Sequence, residues 1–303
     1  YKYQITIWTP TYNRGDRLPV LYESLCRQTV KEFQWLIIDD GSTDKTPDIV
    51  RNFDDPTLSI DYHVKSNGGK HTAINYSCPY IKGEMVCIVD SDDWLVPSAI
   101  EEILIKKTEY SRCSSVKVLS FLRGKAINTP LSNCFPNDEI ISNHIDFRIN
   151  AGRLADCCEV IYTDVLKEFP FPEFAGETFM GEGYLWNHVG FKYDTAYINK
   201  VIYICEYLDG GLTKSGRRLR LMSPNGGMAN CNSFYSTSSK RRVSMVMRIK
   251  EALLFVCYGR QSGLSYSKIM AKASDKLFVR LFYVPGIALH SFWKCKYLGT
   301  DRE

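Results

Sequence analysis

Three carboxylates lie within four residues at the end of an apolar run. The run covers residues 85–89 and is rich in β-branched side chains, and Asp90, Asp92 and Asp93 follow it directly. A buried strand cannot carry these charges, because an unpaired carboxylate removed from water is strongly destabilising. We therefore expect them at the exposed end of a strand, beside a cation. Such a site suits a metal ion that holds a diphosphate.

The same residues have a structural alternative. Aspartate is a preferred helix N-cap, and a helix is expected near Pro97, so Asp92 or Asp93 could cap that helix from a solvated loop. The elements that precede the carboxylates bear on this choice.

Strands and helices alternate four times up to residue 89. Hydrophobic patterns predict strands over 5–9, 33–38, 58–64 and 85–89. The intervening helices are predicted from Leu18, from Thr46 as N-cap with Pro47 after it, and over 70–80. This order predicts an α/β fold with a mostly parallel central sheet and helices on both faces.

In such a sheet, ligands bind beyond the carboxyl ends of the strands. Polar side chains follow all four predicted strands: Thr9, Thr11, Asn13 and Arg14, then Asp39 and Asp40, then Asn67 and Lys70, then the three carboxylates. One cleft is expected to collect them. The sequence has no GxGxxG after its first strand and no GxxxxGK(S/T), so a dinucleotide fold and a P-loop have no motif support.

Three motifs in this half of the chain resemble family 2 of the nucleotide-sugar glycosyltransferases. They are Thr9-Pro10-Thr11-Tyr12-Asn13-Arg14, Ile37-Ile38-Asp39-Asp40-Gly41-Ser42-Thr43-Asp44 and Val89-Asp90-Ser91-Asp92-Asp93-Trp94. The resemblance covers roughly residues 3–100 and implies a GT-A fold. It divides the chain into a nucleotide-sugar-binding half over 1–100, an acceptor-binding half of the same domain over 101–215, and a basic loop with a helical C-terminal region over 216–303.

The resemblance also implies roles for single residues. Asp40 would hydrogen-bond the base, Asp92 would contact the ribose region, and Asp93 would ligate Mn²⁺ or Mg²⁺ on the diphosphate. Asp90 is either a further ligand or a hydrogen-bonding support for its neighbours. The remaining substrate-binding candidates are the first motif, Thr9, Pro10, Thr11, Tyr12, Asn13 and Arg14, together with Asn67 and Lys70.

The Asn67-Gly68-Gly69-Lys70-His71 segment permits two interpretations. Its glycines would let the backbone approach a ligand closely, and Lys70 would then meet a phosphate. Alternatively it is an ordinary turn before a helix, with Lys70 in water. His71 is expected to pack rather than to take part in chemistry.

Inverting transfer needs a base that takes the proton of the acceptor hydroxyl. Residues 176–187 are similar to the family segment in which an acidic residue precedes an apolar helix. Glu182 stands at the first position of the family's Glu-Asp pair, and Gly183 replaces the second. Glu182 is therefore the predicted base and Glu177 the second candidate, unless Glu182 is only a first-turn acid favoured by the helix dipole.

Residues 206–213 follow a predicted strand over 200–205 and resemble a segment next to the acceptor region of bacterial enzymes that make surface polysaccharides. A loop signature follows at 223–227. Four cations precede it and would either close over the diphosphate or stay in solvent: Lys214, Arg217, Arg218 and Arg220.

The C-terminal region is strongly basic. Residues 240–303 contain 13 Lys and Arg against 4 Asp and Glu, a local excess of +9. Because the net charge of the whole chain is +4, the preceding residues carry −5.

Within this region, Ile269, Ala273, Leu277 and Leu281 recur every four residues, which predicts one helix with an apolar stripe and interleaved cations. Three features, Arg280, Pro285-Gly286 and His290, interrupt the apolar residues of this region too often for a membrane span. Residues 268–296 would either lie on an anionic membrane surface or pack on the catalytic domain, and nucleic acid is not an expected partner.

Composition sets the outer bounds. A chain of 303 residues with 45% hydrophobic content can bury a large core. Its 11 cysteines are odd in number and lack zinc-site spacing, so a zinc site and a secreted disulfide framework are both poor interpretations. Cys157-Cys158 is interpreted as two thiols in a reducing compartment. No basic and apolar leader follows Tyr1, although the initial Met is missing, and a cytoplasmic location is expected, with attachment to the inner face of the membrane as the open alternative.

Taken together, the sequence predicts an inverting, metal-dependent hexosyltransferase that moves a sugar from a nucleotide diphosphate donor, expected to be a UDP-sugar, to a lipid-linked saccharide in surface polysaccharide synthesis. A sugar-nucleotide pyrophosphorylase is the alternative enzyme, but it would need a Gly-rich loop where this chain has Thr9-Pro10-Thr11-Tyr12. A non-enzymatic module that binds nucleotide sugars is the third possibility.

Overall fold

The computed structural model describes residues 1–153, 156–205, 212–236 and 239–299, with 212–215 described by backbone alone. The strands are β1 (Tyr3–Thr11), β2 (Gln34–Asp39), β3 (Ser59–Val64), β4 (Gly83–Ile88), β5 (Trp94–Leu95), β6 (Val116–Ala126), β7 (Thr129–Pro130), β8 (Glu139–Ser142), β9 (Cys157–Tyr162) and β10 (Asp194–Ile204). The helices are α1 (Leu18–Cys26), α2 (Thr46–Arg51), α3 (Lys70–Ser77), α4 (Ala99–Glu109), α5 (Thr163–Glu168), α6 (Gly183–Lys192), α7 (Leu212–Met222), α8 (Pro224–Asn232), α9 (Met245–Gln261), α10 (Tyr266–Lys272), α11 (Lys276–Leu281) and α12 (Tyr283–Leu298). A 3₁₀ turn covers Tyr110–Arg112 and a π-helical stretch covers His144–Asn150.

One sheet joins the strands in the order β3-β2-β1-β4-β9-β6-β10-β5, with β7 beside β6 and β8 beside β10. The first four strands run parallel, as their alternation with α1, α2 and α3 predicted. Beyond them the sheet is mixed, because β9 pairs antiparallel with both β4 and β6, whereas β6 and β10 are parallel. The predicted α/β architecture is confirmed.

The core lies on both faces of the sheet. Successive side chains of a strand point to opposite faces, so Ile5 and Ile7 of β1 join the hydrophobic cluster that includes α1, whereas Trp8 joins the cluster that includes α3 and α6. Leu36 and Ile38 of β2 belong to the second cluster as well. Burial on both sides fixes the strand register, and with it the positions of the loops at the carboxyl ends.

Two capping predictions were wrong. Helix α2 has Lys45 as its N-cap and Thr46 as its first residue, because the Asp44 carboxylate accepts hydrogen bonds from the backbone and hydroxyl of Thr46 and fixes that turn. Helix α4 has Ser98 as its N-cap, so neither Asp92 nor Asp93 caps it. The carboxylates that follow β4 therefore need another explanation.

The loop predicted at 223–227 is instead the first turn of α8, and the cations before it lie on α7. Proline is well tolerated at the start of a helix, and both following glycines are closely packed. A Cβ on Gly226 would lie 2.9 Å from the Phe179 carbonyl oxygen, and one on Gly227 would lie 2.7 Å from the Tyr258 ring. The glycines therefore serve helix packing rather than a turn.

The C-terminal helices form their own hydrophobic cluster around α9. The predicted single stripe was wrong, because the chain leaves the helix after Lys272 and Asp275 then caps α11. This break changes the helical phase, so Ile269 is buried whereas Leu277 and Leu281 are each 63% exposed.

Pro285 and Gly286 lie in the first turn of α12, where proline is well tolerated, so they do not break this helix. No helix in the described part of the chain is both long and apolar enough to cross a bilayer. All 11 cysteines are free thiols, and Cys157 and Cys158 are buried.

Candidate active site

The loops that follow β1 and β2 are joined to each other by hydrogen bonds. The Asn13 backbone donates to Ser42 Oγ at 2.8 Å, and the Thr43 backbone donates to Asn13 Oδ1 at 2.8 Å. Asn13 adopts a φ of 51°, a conformation that asparagine tolerates better than most residues. The structure thus brings the first two motifs together at one edge of the sheet.

Asp40 fixes the turn that precedes α3. Its carboxylate accepts hydrogen bonds from Lys65 Nζ at 2.6 Å and from the backbone of Gly68 and Gly69 at 3.0 and 2.6 Å. Gly69 has a φ of +88°, and a Cβ there would lie 1.8 Å from the Thr178 carbonyl oxygen. The turn is therefore pressed against the segment that leads to α6, which brings the two halves of the cleft together.

Lys70, the first residue of α3, connects both sides of the cleft. Its ammonium lies 2.5 Å from Asp90 Oδ1 and 2.7 Å from Glu182 Oε1. Burial lowers the pKa of Lys70, but the two carboxylates outweigh it and hold the pKa above its ordinary value. Of the two interpretations of this segment, the one that places Lys70 in water was wrong, and Lys70 brings the predicted base Glu182 to Asp90, which follows β4.

Tyr203 of β10 connects the backbone of Asp90 to the carboxylate of Asp93. Its hydroxyl accepts a hydrogen bond from the Asp90 backbone at 3.0 Å and donates one to Asp93 Oδ2 at 2.6 Å. The Arg123 guanidinium lies 4.2 Å from the centre of the Tyr203 ring and 3.9 Å from Asp93 Oδ2. Burial, together with Asp90 and Asp92, raises the pKa of Asp93 to about 7 despite the Tyr203 hydrogen bond.

Sequence reasoning missed Arg123, Tyr203 and Glu159. Glu159 lies on β9, 3.7 Å from Arg148, and burial raises its pKa to about 7 although Arg148 and Arg123 lower it. A signal existed for the two charged residues, since Arg123 and Glu159 each interrupt an apolar strand and so require an oppositely charged partner. Tyr203 gave no such signal, because tyrosine is common in strands.

The remaining predicted residues lie around this centre. Thr9 is buried and its hydroxyl accepts a hydrogen bond from Trp35 Nε1 at 3.0 Å, whereas the buried Thr11 hydroxyl has no hydrogen-bond partner in the described part of the chain. Pro10 and Asp92 are half-buried. Three others are exposed: Tyr12, Arg14 and Asn67.

Glu177 and His71 have structural positions. The Glu177 carboxylate accepts hydrogen bonds from the backbone of Asn225 and Gly226 at 2.9 and 2.8 Å, at the start of α8. His71 is buried edge-on against Phe171, and burial lowers its pKa. Both observations leave Glu182 as the acid that faces the β4 carboxylates.

Two predictions for the second half concern the segment 206–213 and the cations that follow it. Residues 206–211 and the side chain of Lys214 lie outside the described part of the chain. Arg217 donates to the Tyr297 hydroxyl at 2.6 Å and lies 5.6 Å from the Trp293 ring centre, so it packs on α12.

The carboxylates that follow β4 suit a divalent ion whose other ligands come from phosphate and water. No group of three or more His, Cys, Asp or Glu side chains in the described ranges could hold a metal by itself. Mg²⁺ and related ions at phosphate sites, however, use one or two carboxylates and take other ligands from phosphate and water. The raised pKa of Asp93 shows a buried carboxyl that a nearby dication would stabilise in its ionised form.

Comparison with known proteins agrees with this geometry. The family model described as glycosyl transferase family 2 matches residues 6–141. The matched residues include all three motifs on which the resemblance to this family rests.

Curated relatives match over shorter stretches. Glycosyltransferase GlyA of Streptococcus pneumoniae is 33% identical over 107 residues, which cover 35% of this chain and 15% of that protein. The minor teichoic acid biosynthesis protein GgaB of Bacillus subtilis is 27% identical over 184 residues, which cover 57% of this chain and 20% of that protein. The matched stretches thus span a small part of these relatives.

Solved structures match over nearly the whole chain. S. aureus TarS in complex with UDP-GlcNAc superposes with a TM-score of 0.63 at 17% identity, covering 99% of this chain and 93% of that one. The mannosyltransferase PcManGT from Pyrobaculum calidifontis, in complex with GDP-Man and Mn²⁺, gives a TM-score of 0.57 at 15% identity over 100% of this chain and 89% of that one. These likenesses confirm the predicted GT-A fold.

Proposed function

We propose that this chain transfers a sugar from a nucleotide diphosphate donor, a UDP-sugar, to a saccharide acceptor in the synthesis of a surface polysaccharide. The observation that carries the proposal is the Lys70 ammonium, which lies within 2.7 Å of both Asp90 and Glu182. It joins the carboxylates that follow β4 to an acid at the start of α6. An acceptor carried on a membrane lipid suits the basic C-terminal region.

The donor would bind along the carboxyl ends of the parallel strands. Asp40 would hydrogen-bond the nucleobase of the donor, Asp92 would contact the ribose region, and Asp93 would ligate the metal. The 9–14 loop, Asn67 and Lys70 would lie around them. Bound Mn²⁺ or Mg²⁺ would stabilise the negative charge that develops on the diphosphate. Asp90 is bonded to Lys70 and Tyr203, which favours a supporting role for it over a metal ligand.

Glu182 would act as the base of an inverting reaction. The acceptor hydroxyl oxygen forms a bond to the anomeric carbon from the face opposite the diphosphate, and its proton goes to the Glu182 carboxylate. The bond from the anomeric carbon to the diphosphate oxygen breaks, and its electron pair leaves with the diphosphate. Lys70 holds the carboxylate at the cleft.

A binding experiment tests the donor half of the proposal. A panel of nucleotide sugars is screened for Mn²⁺-dependent thermal stabilisation, since a ligand that binds the folded state raises the melting temperature. We expect a UDP-sugar to give the largest shift and Asp93→Ala to lose it. Equal shifts in wild type and Asp93→Ala would remove Asp93 from the metal site.

A transfer experiment tests the base. Glu182→Gln should keep donor binding while the transfer rate falls by roughly 10²–10⁴-fold. Glu177→Gln is the matched control, because Glu177 caps α8 and should affect stability rather than rate. An α-linked donor should give a β-linked product. An α product, or equal losses in the two variants, would reject Glu182 as the base of an inverting reaction.

A further inference from the structure

The outer face of α12, together with Leu281 at the end of α11, is apolar where a surface helix is normally charged. No Lys, Arg, Asp or Glu occurs from Leu281 to Trp293. Leu281 is 63% exposed, Val284 74% and Phe292 59%. The hydrophobic core does not need these side chains, because the opposite face of α12 already packs on α9 through Gly286.

Cations flank this apolar face at both ends. Lys276 and Arg280 precede it on α11, and Lys294 and Lys296 follow it on α12; all four are exposed. The chain has no Asp or Glu from residue 276 to residue 299. Asp275, just before this stretch, is bound by Arg248 at 2.6 Å. The flanking positive charge is therefore not neutralised along these two helices.

A groove of about 820 Å³ runs between the end of α9 and α12, with Arg260, His290, Ser291 and Lys294 among its lining residues. None of the described residues that line it is acidic. Burial, then Lys294 and Arg260, lower the pKa of His290, which agrees with a locally positive potential. The groove thus offers cations and a hydroxyl to an anionic group beside the apolar face.

We propose that the exposed face of α11 and α12, together with this groove, docks on an anionic phospholipid membrane. Leu281, Val284 and Phe292 enter the boundary between headgroups and acyl chains, and the groove cations bind lipid phosphate. Anionic lipid matches both features at once. A second copy of the chain would bring like charges together, and a nucleic acid would leave the aliphatic side chains unused.

Vesicle sedimentation of the full chain tests this proposal. Wild type should sediment with vesicles of phosphatidylcholine and phosphatidylglycerol but not with phosphatidylcholine alone. Leu281→Asp/Val284→Asp should remove the apolar contribution, and Arg260→Glu/Lys294→Glu the electrostatic one, each weakening binding roughly tenfold or more. The matched controls are Val20→Asp on α1, where the side chain is 49% exposed, and Lys167→Glu on α5, which is also exposed.

The readouts separate membrane docking from catalysis and folding. Each variant should keep its melting temperature, its stabilisation by a UDP-sugar and its transfer to a soluble acceptor, so loss of vesicle binding alone supports the proposal. The proposal would be overturned if the wild type fails to sediment with the anionic vesicles, or if the variants sediment as strongly as the controls. A wild-type dimer that Leu281→Asp/Val284→Asp dissociates would assign the face to a second copy and also overturn it.

Discussion

The ammonium of Lys70 lies 2.7 Å from the carboxylate of Glu182. The two residues begin α3 and α6, which are more than 100 residues apart in sequence. The contact is possible because the Gly69 turn packs against the backbone of Thr178. The candidate base is thus positioned by the same turn that Asp40 holds.

Lys70→Met should lower the transfer rate by about 10²-fold, because Glu182 and Asp90 lose the cation that holds them on either side of the cleft. Initial rates at saturating donor measure the effect. Lys82→Met is the control, since Lys82 pairs with Asp61 at 2.7 Å on the surface and should leave the rate unchanged. Similar losses in both variants would show that the effect is not specific to the cleft.

Tyr203→Phe should weaken Mn²⁺-dependent binding of UDP. The Tyr203 hydrogen bond lowers the pKa of Asp93, so its loss raises that pKa further and disfavours the ionised ligand at neutral pH. The Asp90 backbone N–H also loses its partner, which should cost about 1–3 kcal/mol of stability. Calorimetric titration of UDP with and without Mn²⁺ measures the first effect.

Tyr110→Phe serves as the control for Tyr203→Phe, because Tyr110 donates to Glu139 away from the cleft. It should lose stability without any change in metal-dependent binding. Unchanged UDP binding in Tyr203→Phe would mean that the Tyr203 hydroxyl does not affect the ionisation of Asp93.

Gly69→Ala should be severely destabilising or prevent folding. The residue combines a φ of +88° with a Cβ position 1.8 Å from the Thr178 carbonyl oxygen, so neither the backbone nor the neighbour leaves room. Gly176→Ala is a matched control with a φ of +79° and no atom within 4 Å of the added Cβ. It should cost only the conformational strain, roughly 1–2 kcal/mol. Chemical denaturation compares the two, and equal costs would contradict the close approach.

Glu159 should make stability depend on pH. Its pKa rises from 4.5 to about 7 in the folded protein, so between these values the folded state holds a proton that the unfolded state has lost. The free energy of unfolding should therefore fall as pH increases from about 4.5 to about 7. Glu159→Gln should remove roughly 2–3 kcal/mol of this fall, because glutamine does not titrate.

Urea titrations at several pH values measure the Glu159 effect. The exposed Glu32 provides the control, and Glu32→Gln should keep the wild-type pH profile. A profile of Glu159→Gln that parallels the wild type would mean that the carboxyl titrates normally in the folded chain.

Local sequence patterns predicted the first half of the fold well. The strands ending near Thr9, Ile38, Val64 and Val89 and the polar residues after them follow from hydrophobic periodicity and from the cost of burying charge. The C-terminal half was harder. Apolar residues every four positions indicated one helix, but the cap at Asp275 divides it, and the change of helical phase leaves Leu277 exposed.

The sequence by itself determined that Asp90, Asp92 and Asp93 lie at the end of a strand and share a cleft with the first two motifs, because strand order and unpaired charge leave few alternatives. Only the tertiary structure decided which groups meet them. Arg123 and Tyr203 come from distant strands, and Lys70 joins Asp90 to Glu182 across the cleft. Such contacts depend on sheet order and packing between segments far apart in sequence, which no local pattern specifies.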